Sequence, residues 1–162
     1  MVIAGRNGTT PKFAPSSIRA DQKSVPLSHV APMQAKVGWW KPTYDNLPRP
    51  NALLISGGEL FDTGIFAHAP SIYRYDLTGG GWKHLTGKCG LPCQTPFTEG
   101  SVIFVIRADG KEMLRTKKFT SNRTSSFDIN LTGVRELELI TEDAGDGNSN
   151  DWGLWLGAEL TR

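Results

Sequence analysis

Short stretches in which apolar and polar side chains alternate at a period of two recur along this chain, and that pattern admits few folds. SIYRYDL alternates through Ile72, Tyr73, Arg74, Tyr75, Asp76 and Leu77. In SSFDINLTG, Phe127, Ile129 and Leu131 share one face, and in VRELELITE, Leu137 and Leu139 face inward with Val134 as a further candidate. SVIFVIRADGKEMLRT reads as a hairpin: a β-branched strand, a turn at Ala108-Asp109-Gly110, and a returning strand. NALLISG and GIFAHAP are shorter candidates, and DWGLWLGAEL reads as the last strand. No stretch carries a long helical period. With 18 Gly and 10 Pro in 162 residues, and 38% apolar content, the chain suits many short strands joined by turns in one domain. Strands at regular spacing predict an all-β, antiparallel β-sandwich. Residues 1–36 lack periodicity and are rich in Ser, Pro, Thr and Lys, so they read as an extended or irregular N-terminal arm before a sandwich over 37–162.

Several function classes are excluded. The net charge is +2 and the basic residues are scattered, which argues against nucleic acid. No apolar run is long enough for membrane insertion. The start of the chain is too short in apolar residues for a secretory signal, so either the protein is intracellular or a leader has been removed. Cys89 and Cys93, in CGLPC, either close a small disulfide loop or remain thiols; they have neither redox spacing nor a second pair for zinc. Asn7, Asn122 and Asn130 head glycosylation sequons, which matter only in a secreted chain. His29, His68 and His84 are the only histidines, and no G-x-S-x-G or H-E-x-x-H signature accompanies them. A glycosidase pair would have to come from residues such as Glu59, Asp62, Asp143, Asp146 and Asp151, and spacing selects none of them. The chain therefore reads as a binding protein and not as an enzyme.

The candidate site lies near the end of the chain, in EDAGDGNSNDWGLWLGAEL. The spacing is not that of an EF-hand loop. Asn148, Asn150 and Asp151 are suited to sugar hydroxyls, because an amide or carboxylate can bridge two neighbouring ones. A flat indole suits the apolar face of a sugar ring. Strand geometry sends Trp39 and Trp40 to opposite sides, and likewise Trp152 and Trp155. Trp39 and Trp155 are expected in the core, and Trp40 and Trp152 outside as stacking rings. His68, in FAHAPS, either ties down a loop through its ring nitrogens or donates at the rim of a ligand site.

The same residues carry a family resemblance. VGWWKP, then GIFAHAPSIYRYDL over residues 64–77, then GSVIFVIRADGK, then GDGNSNDWGLWLGAEL occur in order. Over Val37–Leu160 the chain resembles the NPCBM family, the carbohydrate-binding modules of family 51. The resemblance implies a galactose-binding-like, jelly-roll sandwich that is non-catalytic and binds glycans with terminal galactose-type sugars. It implies no required cofactor, and one structural calcium away from the sugar, with no ligand residues assigned. Such modules ride on glycoside hydrolases, so the chain would be secreted or cell-surface if cut from one, and cytoplasmic if a free-standing lectin. Weak single-sugar binding would make a homo-oligomer useful for avidity. The chain departs from the family pattern D-H-A-D-W: Trp152 stands where His is usual and Leu154 where the second Asp is usual. Two rivals are a protein-binding adaptor on the same fold and a small glycosidase.

Overall fold

Side chains that alternate between buried and exposed define most strands, as the sequence pattern requires. The structure is a computed structural model and describes residues 10–49, 52–93, 100–120 and 123–162. In chain order the strands are β1 (Ser24–Pro26), β2 (Gln34–Lys36), β3 (Thr43–Tyr44), β4 (Leu54–Ser56), β5 (Glu59–Phe61), β6 (Gly64–His68) and β7 (Ser71–Asp76). They continue with β8 (His84–Gly90), β9 (Ile103–Ala108), β10 (Lys111–Arg115), β11 (Thr124–Asn130), β12 (Glu136–Glu142) and β13 (Trp152–Thr161). One sheet runs β11-β8-β13-β6-β3, with β1 also paired to β13; the other runs β10-β9-β12-β7-β2. The pairings are antiparallel, so the predicted sandwich is observed.

The main core lies between the two sheets. Tyr73, Tyr75, Phe104, Ile106, Leu137 and Leu139 meet Ile65, Ala67, Leu85, Phe127, Ile129 and Leu160 there. Trp155 sits at its centre, fully buried, edge-on to Phe104 at 5.1 Å and to Phe127 at 5.8 Å. Val134 is only partly buried at the margin.

Ordered pairing begins before the change of texture at Val37. Ser24–Pro26 pairs with Glu159–Thr161, and Gln34–Lys36 pairs with Ile72–Arg74. Three-residue strands are too short to display a period, which hides them from pattern reading. Arg162 pins the segment before them: its guanidinium lies 4.1 Å over the Trp82 ring and donates to the carbonyls of Gly80, Ile18 and Arg19. The disulfide left open for CGLPC does not form, and both cysteines are free. β8 stays extended through Gly90, carrying Cys93 onward to donate its N–H to Ile55 O on β4, while the Cys89 thiol is buried beside Ser125 O. Asn130 ends β11 exposed; Asn7 and Asn122 lie outside the described residues.

Strand β13 departs from simple alternation. Trp152 through Leu156 are all buried, because both faces of this strand are covered. Trp155 enters the main core, whereas Trp152, Leu154 and Leu156 point to the outer face. There they join Leu47, Leu54 and Phe66, with Ala52 and Phe61 packed alongside, in a second apolar cluster under the β4–β5 hairpin.

Candidate functional site

The loop between β2 and β3, the end of β6 and the start of β13 meet at one end of the sandwich. Trp152 is the direct cross-strand neighbour of His68. Gly38 anchors the incoming loop: its N–H donates to His68 O at 2.9 Å, and a Cβ there would strike Ala69 O and Pro70. Only glycine permits so close an approach. Trp39 and Trp40 follow directly.

Both of these rings are outside. Trp39 is 46% exposed and Trp40 59%, which corrects the expectation that Trp39 belongs to the core. Opposite facing holds only within a strand, and Gly38–Trp40 form a bend instead. Trp40 has φ 67°, in the left-handed region. Trp152 is corrected the other way: it is only 8% exposed, because Trp39 stacks on it at 5.4 Å with planes 27° apart. Phe66 meets Trp152 edge-on at 5.3 Å from below. Trp39 also lies 5.8 Å from the His68 ring and 5.7 Å from Trp40. Trp39, Trp40, His68 and Trp152 are thus brought together, with the first two forming the surface. Phe66 was missed in the sequence, although its i, i+2 spacing to His68 marks a shared face in GIFAH.

His68 is 5% exposed. Its Nδ1 lies 2.8 Å from Ala69 O, so Nδ1 carries the proton and donates, and the neutral ring keeps Nε2 as an acceptor. Burial lowers its pKa, outweighing the backbone hydrogen bond that raises it. The ring bond is thus to the next residue, whereas the main-chain carbonyl of His68 is what holds the Gly38 loop.

Asp151 is 1% exposed and joins three segments. Its main-chain carbonyl accepts Ala69 N–H at 2.9 Å, next to His68, while its Oδ1 accepts Ser101 N–H at 2.7 Å. Its Oδ2 is buried and has no hydrogen-bond partner among the described residues. Burial, aided by the charges of Asp146 and Asp143, pushes its pKa up to about 6, against the Ser101 hydrogen bond and the Lys118 charge. The loop before it is latched: Asp146 accepts from Ser101 Oγ and from Lys118 Nζ, each at 2.7 Å. Asn148 is exposed and Asn150 half-buried, with φ 62°; their main-chain carbonyls accept from Asp151 and Trp152 respectively. They therefore shape the entry to β13, beside the aromatic group. Among the described residues no three His, Cys, Asp or Glu side chains converge.

The comparisons with known proteins agree with this architecture. The family model described as NPCBM/NEW2 domain matches residues 23–161. The structure of CBM51 from Clostridium perfringens GH95, solved in complex with methyl-galactose, superposes with a TM-score of 0.79 at 26% identity, over 85% of this chain and 99% of that one. CBM51-2 with the INT domains of Clostridium perfringens ZmpB, solved in complex with GlcNAc, superposes with a TM-score of 0.79 at 20% identity, over 86% of this chain and 32% of that one. The M60 catalytic domain of ZmpB with its CBM51-1 and CBM51-2 domains gives a TM-score of 0.78 at 24% identity, over 85% of this chain and 15% of that one. This chain thus spans one whole module and a minor part of the multidomain structures. No curated protein matches it.

Proposed function

The chain belongs to the NPCBM/NEW2 domain family, and on that premise we propose that it is a non-catalytic carbohydrate-binding module that recognises terminal galactose-type sugars of glycans. One observation carries the reading: two adjacent indole rings, Trp39 and Trp40, are exposed at one end of the sandwich, and Trp39 is propped by a buried ring, Trp152. Large apolar rings left in water on a folded surface point to a ligand or partner. A sugar offers an apolar C–H face to an indole and a rim of hydroxyls to nearby polar groups. Asn148, on the adjoining loop, is the exposed amide available for that rim. His68 and Asp151 act from beneath, holding the ring-bearing segments. The solved relative with methyl-galactose supports the choice of sugar class. The chain needs no cofactor for this role. Copies of the site on an oligomer or a larger protein would raise avidity.

A glycan array comparing the wild type with Trp39→Ala tests the proposal. Binding to galactose-terminated glycans that falls at least tenfold in the variant is expected. Binding that survives removes the Trp39 surface from the site. A wild type that binds no glycan leaves the exposed rings to a protein partner and ends the carbohydrate reading.

A further inference from the structure

We propose that Trp40 supplies a second stacking face, which makes the ligand a glycan of at least two sugar residues and not a lone terminal sugar. The inference rests on the reading of the Trp39 surface as a sugar platform. It starts from strain. Trp40 holds a left-handed backbone at φ 67°, a conformation that a bulky side chain adopts only when its surroundings impose it. The bend that carries it is tied just before it: Gly38 N–H donates to His68 O at 2.9 Å, and Gly38 lies so close to Ala69 that a Cβ there would clash. Glycine would satisfy the same backbone without strain. The ring brings little to the fold in return, since it is 59% exposed and meets the ring of Trp39, itself a surface residue. A strained, exposed aromatic residue at a site where glycine would be easier is a candidate for ligand contact.

Geometry then selects the ligand. The two indoles lie 5.7 Å apart and are inclined by 35°. A single pyranose face can lie parallel to only one of them. The ring separation is close to the repeat of one sugar along a glycan chain, so two successive sugars can each meet a ring. The two rings also differ in support. Trp39 is fixed on Trp152 at 27° and suits the terminal sugar, whereas Trp40 stands further out and suits the next one.

The test titrates wild type and Trp40→Gly by calorimetry with two matched pairs, methyl galactoside against lactose and N-acetylglucosamine against its β1,4-linked disaccharide. Thermal melts of both proteins accompany the titrations. The wild type is expected to bind one disaccharide at least tenfold more tightly than its monosaccharide. Trp40→Gly is expected to bind that monosaccharide within about twofold of wild type, to lose the disaccharide gain, and to melt no lower than wild type. Equal affinity of the wild type for both members of a bound pair overturns this inference and leaves the carbohydrate reading standing. So does a Trp40→Gly variant that keeps the disaccharide gain, or one that melts well below wild type. A wild type that binds none of the four sugars overturns both.

Discussion

Replacing Asp151 with Asn should remove a pH dependence of stability that wild type carries. The Asp151 carboxyl is buried, one oxygen has no partner among the described residues, and its pKa rises from 3.8 to about 6 on folding. Between those two values the folded chain holds a proton that the unfolded chain has released. The unfolding free energy therefore falls as pH rises through that window and levels off above about 6. A shift of about two pKa units corresponds to at most about 3 kcal/mol. Working from pH 4.5 upward avoids acid unfolding and captures roughly two thirds of it, about 2 kcal/mol. For a domain of this size that is roughly 4–8 °C in Tm. Asn keeps an oxygen to accept Ser101 N–H and adds an amide donor in place of the orphaned Oδ2. Thermal melts of both proteins from pH 4.5 to 8 give a difference curve in which the other titrating groups cancel. Wild type should lose ground to Asp151→Asn up to about pH 6, with a plateau above. A flat difference, or a wild type that gains on the variant with rising pH, would refute the assignment of a buried, half-satisfied carboxyl.

Two further outcomes test the architecture. Gly38→Ala pushes a methyl group into the Ala69–Pro70 backbone, so it should lower stability by about 1–3 kcal/mol in urea unfolding and weaken any ligand bound at Trp39. Trp155→Ala empties the centre of the main core and should cost about 3–5 kcal/mol. Trp155→Phe should cost clearly less, because the indole N–H is buried with no partner among the described residues and its loss leaves nothing unpaired.

The sandwich was legible where a strand buries one face only. Phe127 and Ile129, Leu137 and Leu139, and Tyr73 and Tyr75 all enter the core at the spacing the sequence displays. The turn at Asp109-Gly110 was equally plain, with both residues at positive φ. The candidate site was legible in composition but not in orientation. Opposite facing was assumed for Trp39 and Trp40, yet the segment bends because Gly38 is held by His68, a residue far along the chain. Local spacing carries no trace of that contact. The burial of Trp152 has the same kind of origin, since the ring that covers it comes from the β2–β3 loop. β1 and β2 escaped because three residues show no period, although their hydrogen bonds to β13 and β7 draw them into the sheets.

The second apolar cluster explains why the outer face of β13 is buried. An ordinary half-buried strand would turn one face to water, and the family pattern D-H-A-D-W would put two polar residues on the outer face of β13. This chain puts Trp152 and Leu154 there, and covers them with Leu47, Leu54, Phe66 and the β4–β5 hairpin. Trp39 closes the end of that cluster, so its exposed face rests on a packed base and not on a mobile loop. A ring held in place before the ligand arrives loses little rotamer freedom on binding, which favours affinity at a shallow site. The main core around Trp155 shares no residue with the cluster around Trp152, so under the proposed reading substitutions at the exposed Trp39 and Trp40 should change ligand binding more than they change the melting temperature.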